Sequence, residues 1–247
     1  EGCTEMTLSL ELKKLRRTGF FPVFLGCAFF AALIPAVNTG ARPETFTALP
    51  GSPGNILLDA NWEIMTMLYV LFSVMGACVI YHTEYSGRAL LKMASLPVSG
   101  ISMFFAKCLL LELFGAASIL TGCLSFLAVS LCWFPERTLP VKEILLQGGF
   151  SMVLMLPFVV LMLLIASWYS NMWTPLGVGV LLVFAETILR SGSFALRLLP
   201  FSLPFQTLSA LSGSEIRICL GAAAGELLIL GLAAWILQSP RVRRIAE

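Results

Sequence analysis

Six stretches of this chain are almost wholly apolar and contain no lysine or arginine: residues 19–38, 64–81, 108–134, 144–169, 173–189 and 218–238. Their lengths run from 17 to 27 residues. A membrane-spanning helix needs ~20 mainly apolar residues, within a range of ~17–25. A lysine or arginine at the centre of such a span costs about 2.5–3.5 kcal/mol. The sorting of basic residues out of these stretches is therefore what a hydrocarbon solvent requires. The reading is an all-α integral membrane protein with six transmembrane helices, forming one transmembrane domain over residues 1–247. Composition agrees. Apolar residues make up 58% of the chain and charged residues 12%, about half of the ~25% usual in soluble domains. That excludes a disordered chain, a basic nucleic-acid binder and an ordinary cytosolic enzyme.

The five tryptophans, Trp62, Trp133, Trp168, Trp173 and Trp235, are all expected at or near span ends, as an aromatic belt. Six of the seven cysteines, Cys27, Cys78, Cys108, Cys123, Cys132 and Cys219, lie in apolar runs. They read as small core residues and not as a disulfide framework. His82 is the one histidine, and no metal site is expected.

Orientation follows from the basic residues. With the N-terminus inside, the inner segments carry ten lysines and arginines and the outer loops six. Both ends are then expected in the cytoplasm. The first apolar run is too long for the 7–15-residue core of a signal peptide, so it reads as a retained span. Ahead of it, residues 1–18 are expected to form an interfacial helix. Leu8, Leu12 and Leu15 recur at helical spacing, with Lys13, Arg16 and Arg17 elsewhere on the wheel. A plain basic lead-in is the alternative. Residues 39–61, rich in Gly, Pro, Thr and Asn, are expected to be an outer loop.

The inner loop between the second and third spans is the most informative stretch. It reads HTEYSGRALLKMASLPVSGISMFFAK over residues 82–107. Arg88 to Ser95 has helix-like character, and Pro97 ends it. Either a short helix lying across the cytoplasmic face or a solvated basic loop fits this composition.

Glu84, Gly87, the pair Leu90 and Leu91, the step Leu96-Pro97-Val98-Ser99, and Lys107 together resemble the corresponding loop of type-2 ATP-binding-cassette (ABC) permeases. Arg88-Ala89 departs from the small polar pair common after that glycine. In size and lack of soluble domains the chain is most similar to permease subunits of lantibiotic (bacteriocin) self-immunity exporters. The resemblance implies that the loop forms a coupling helix seated on a separate ABC ATPase, with Glu84, Gly87, Arg88, Leu91 and Pro97 in the contact. ATP and Mg would be held by that ATPase dimer. The chain has no G-x-x-x-x-G-K-[ST] run to cradle phosphates, so no catalytic residue is assigned. Six spans make half of a twelve-helix pore, which implies a second permease subunit. An unlike partner is favoured and a second copy is the alternative. The implied location is the bacterial plasma membrane, and the implied cargo an amphipathic bacteriocin peptide.

Three glutamates fall inside spans. Glu112 lies near the inner surface, where it either reaches headgroup water or lines the substrate path. Glu186 precedes Arg190 by one helical turn, so an i,i+4 ion pair is expected. Glu226 is the deepest. It follows Gly221-Ala-Ala-Ala-Gly225, a small-xxx-small face suited to close helix packing. It is the leading candidate for a substrate-path or inter-helix contact.

Residues 194–211, FALRLLPFSLPFQTLSAL, are apolar but broken by Pro200 and Pro204. They are expected either to dip into the outer leaflet or to rest on lipid. The resembled family carries an outer gate there, which assigns Phe194, Pro200, Pro204 and Phe205 to it. The competing cargoes are a lipid, a polysaccharide or a drug. The competing classes are a membrane-embedded enzyme and a standalone channel or secondary transporter. An ATPase that co-purifies with the chain separates the permease from these classes.

Overall fold

A computed structural model describes residues 11–16, 19–86 and 100–238. All regular structure among them is helical. The short helix α1 covers residues 11–16. It is followed by α2 (Phe20–Ala41), α3 (Pro43–Thr47), α4 (Pro53–Ser86), α5 (Gly100–Trp133), α6 (Val141–Trp168), α7 (Trp173–Leu189) and α8 (Gly213–Gln238). Two 3₁₀ turns, Phe194–Leu198 and Leu203–Phe205, lie between α7 and α8. Each of the six apolar stretches falls within one of these helices, apart from one or two residues at an end. Five helices, α2, α4, α5, α6 and α8, are long and apolar enough to cross a membrane. Helix α7 has 17 residues and measures about 25 Å at 1.5 Å per residue, a little under the ~30 Å hydrocarbon thickness.

The segment 39–61 is not the open loop that its composition predicts. It is mostly helix, because Pro43 and Pro53 each start one. At the first helical position a proline loses no hydrogen bond, and its fixed φ is already helical. Helix α4 therefore begins well before the expected span. Helix α5 begins at Gly100, so Lys107 lies inside a helix and not ahead of one. At 34 residues each, both measure about 51 Å, so they extend well beyond the hydrocarbon. One end of the bundle holds α1, the close of α4 and the start of α5. It is called the near end here, and the opposite one the far end.

At the far end Arg137 gathers three carbonyls. Its guanidinium donates to Thr47 O at 3.0 Å, Leu49 O at 3.1 Å and Gly51 O at 3.2 Å. Asn38 donates to Asn61 at 2.8 Å, joining α2 to α4. Helix α8 starts with a capping box, in which Ser212 and Glu215 bond reciprocally.

Helices α4 and α6 form the buried centre, with 67% of each apolar window covered, against 11% for α8. Helix α8 thus has the widest face turned to lipid or to another subunit. Close helix approach is set by glycines other than the expected ones. A Cβ on Gly179 would meet Val74 at 2.4 Å, and one on Gly148 would meet Cys123 at 2.7 Å. Gly122 is filled in the same way by Tyr69 and Met65. Gly221 and Gly225, by contrast, have open space where a Cβ would go.

Two further expectations are corrected. Trp62 is not part of a belt: it is buried and stacked on Phe126, with ring centroids 6.1 Å apart. Cys132 is exposed and not a core residue. In both cases the one-dimensional position near a span end did not reveal which way the helix face points.

Candidate functional site

The near end contains a cluster of four charges, three of them buried, drawn from three elements. Glu84 stands two residues before the end of α4, and Lys107 in the second turn of α5. The Lys107 ammonium is 2.8 Å from Glu84 Oε1 and 3.5 Å from Glu11 Oε1. Lys14 reaches the same two carboxylates, at 2.6 Å from Glu11 and 3.5 Å from Glu84. The Tyr81 ring faces Lys107 at 5.5 Å, adding a cation–π contact. Glu11, Glu84 and Lys107 are all at most 4% exposed. Two acids and two bases alternate, so each buried charge has an opposite neighbour. That is the condition under which buried ions are tolerated.

Residues 87–99 connect α4 to α5, and the Glu84–Lys107 pair closes the root of that connection. Gly87, Arg88, Leu91 and Pro97 lie outside the described residues. Glu84, expected on the ATPase contact, is turned into the junction. Glu11 and Lys14 were not singled out in the sequence, where they lie within the expected interfacial helix. The described residues 11–16 are helical. Leu15 is buried in the main core and Glu11 in the charge cluster, because Lys107 inside α5 needs carboxylates to offset its burial. The signal available in the sequence was Lys107 itself, a basic residue within a helix of the bundle.

A second junction lies beside it. Tyr85 donates to Ser167 O at 2.5 Å, and Gln238 donates to Ser167 Oγ at 2.8 Å. The near ends of α4, α6 and α8 are thereby tied together. An apolar cavity of about 240 Å³ opens between α2, α4 and α7, lined by Phe20, Phe24, Phe72, Met75, Gly76 and Trp173 among others.

At the far end, residues 194–211 pack against the bundle. The first 3₁₀ turn packs on α7 and α8, and the second on α4 and α6. Pro204 and Phe205 are buried, while Phe194 and Pro200 are half-buried. Phe194 joins a small separate core with Phe150 and Leu154 of α6 and Cys219 and Ala223 of α8. Gln147, buried on α6, supplies the polar hold: it donates to Gln206 O at 3.2 Å and accepts from Leu208 N at 2.7 Å. Ser209 donates to Asp59 of α4 at 2.6 Å.

Among the described residues the three glutamates are not brought into ion pairs. Glu112 and Glu226 are half-buried. Each has one buried carboxylate oxygen with no hydrogen-bond partner among the described residues. Glu186 is 1% exposed and has neither oxygen partnered among them. Its expected pair with Arg190 does not form. Arg190 binds Glu63 of α4 instead.

Together these features define a multi-pass helical membrane protein. Two 34-residue helices run to a charged junction at the near end, and an apolar segment is folded over the far end. The family model described as "ABC-2 family transporter protein" matches residues 7–186, and the chain belongs to that family. It is therefore a membrane component of an ABC transporter, which implies an ABC ATPase as its partner. Neither the curated proteins nor the solved structures contain a match to it.

Proposed function

We propose that this chain is one half of the pore of an ATP-driven exporter in the bacterial plasma membrane. It has six spans, with the near end and both termini in the cytoplasm, and it removes an amphipathic bacteriocin of the lantibiotic type in self-immunity. The observation that carries the coupling is the buried Glu84–Lys107 pair at the root of residues 87–99. A loop anchored on such a root transmits displacement into α4 and α5 instead of yielding beside them. Gly87, Arg88, Leu91 and Pro97 form the contact with the ATPase, which holds ATP and Mg. Helix α7 lies within the ~17–25-residue range of spanning helices, with slight local thinning of the bilayer.

The half-pore is completed by a second permease subunit, most simply an unlike one. The open space at Gly221 and Gly225 on the least covered helix suits close approach of another helix. Cargo of this class partitions to the interface by its apolar face. It enters beside Phe194, Pro200, Pro204 and Phe205, which serve as the outer gate. Glu226, and nearer the cytoplasm Glu112, line the path. A carboxylate at low dielectric attracts the Lys and Arg side chains of a cationic peptide.

The test is to express the chain with its ATPase and sister permease in a bacteriocin-sensitive host. Cell-associated peptide should fall and survival rise when the complex is present. Equal values with and without it would remove the peptide as cargo. Glu226→Gln should weaken protection, and unchanged protection would reduce Glu226 to a helix-packing role.

A further inference from the structure

The least satisfied group at the far end is the Glu186 carboxylate. It is buried, with no hydrogen-bond partner for either oxygen among the described residues. An unpaired buried carboxylate is costly. Yet a cation stands within reach: Arg190 is one turn further along the same helix, at the spacing that ordinarily pairs. Its backbone N–H caps the helix on Glu186 O at 2.8 Å. Its guanidinium is committed elsewhere, to Glu63 of α4, in a contact where both side chains are more than a third exposed. Exposed ion pairs of this kind are weak.

Arg190 thus has two acidic partners on two helices, one engaged and one vacant. We propose that Arg190 is a two-position latch for the far end. Bound to Glu63, it holds the close of α7 against α4. Swung onto Glu186, it keeps its charge paired within α7 and lets that end leave α4. The exchange lowers the cost of opening, because the guanidinium is not left without a carboxylate in either position.

The geometry around the pair supports this. Asp59 and Glu63 are one turn apart on α4. Asp59 holds Ser209 and Glu63 holds Arg190, so one acidic edge of α4 grips both ends of the segment between α7 and α8. The firm contact between the two helices lies farther along, where Gly179 meets Val74. The charges within electrostatic reach of Glu186 among the described residues are Arg190, Glu63 and Arg197. Arg197 belongs to the first 3₁₀ turn and its Nε is itself unpartnered, so it is the competing occupant of Glu186. The latch holds whatever cargo the chain carries.

The experiment uses the full chain in lipid nanodiscs, with native cysteines replaced and spin labels at positions 55 and 193, both exposed. The distance distribution between the labels is read. Glu63→Gln should raise the long-distance population about twofold to fivefold, the range expected from losing one exposed pair. Glu186→Gln should reduce that population. Arg190→Gln removes the partner of both acids, so it should lengthen the distance less than Glu63→Gln does, and adding it to Glu63→Gln should lower the long-distance population again. The latch is overturned if Glu186→Gln leaves the distribution unchanged, or shifts it in the same direction as Glu63→Gln. It is also overturned if Arg197→Gln reproduces the Glu186→Gln effect while adding Arg190→Gln to Glu63→Gln changes nothing, since Arg197 would then be the partner of Glu186.

Discussion

Lys107 of α5 and Glu84 of α4 are paired at 2.8 Å with both side chains sealed from solvent. They stand on either side of the connection that the coupling proposal depends on. Lys107 is shared between Glu84 and Glu11, while Lys14 contacts both acids from a more exposed position. Lys107→Met should therefore destabilise the chain by about 3–5 kcal/mol, since two carboxylates lose their buried cation. Glu84→Gln should cost less, because Glu11 still faces Lys107. The double variant Glu84→Gln/Lys107→Met should be milder than Lys107→Met alone, leaving Glu11 with Lys14. Unfolding in detergent or nanodiscs checks the order, and additive losses would show that the pair is not coupled.

Coupling is checked at Gly87. A leucine there should block close backbone approach by the ATPase. Transport and transport-linked ATP hydrolysis should fall together, with the spans still inserted. If both survive in the reconstituted complex, the contact lies elsewhere.

The glycines separate packing within the chain from packing between chains. Gly179→Leu should destabilise the isolated subunit by about 1–3 kcal/mol, because Val74 already fills the space a side chain would need. Gly221→Leu should leave the isolated subunit unaffected, as nothing lies near its Cβ position. Assembly with the second permease should be where that change is felt. Native gels of the subunit and of the complex distinguish the two.

Orientation is testable with single cysteines. In a background without native cysteines, Glu136→Cys, exposed between α5 and α6, should react with an impermeant maleimide added to intact cells. Ala246→Cys should react only after permeabilisation. The reverse pattern would invert the topology.

The membrane class and the positions of all six apolar helices were legible because lipid imposes a one-dimensional rule. Long apolar runs without basic residues can be read residue by residue, and the family motif around Glu84 and Lys107 was visible in the same way. Helix ends were less legible. Pro43, Pro53 and the first turns of α5 read as loop by composition but start or extend helices.

What the sequence alone could not decide was partnership. The spacing of Glu186 and Arg190 predicts a pair, but Arg190 sits where α7 meets α4, and Glu63 takes it. Gly221 and Gly225 have the motif for close packing, while Gly122, Gly148 and Gly179 do the packing within the chain. Trp62 lies near a span end in sequence and at the centre of the bundle in space. Hydrophobicity and length act locally along the chain, and so the sequence determined a bundle of membrane helices. Which carboxylate meets which base, and which glycine faces a neighbour, depends on how the helices rotate and cross, and only the tertiary structure decided that.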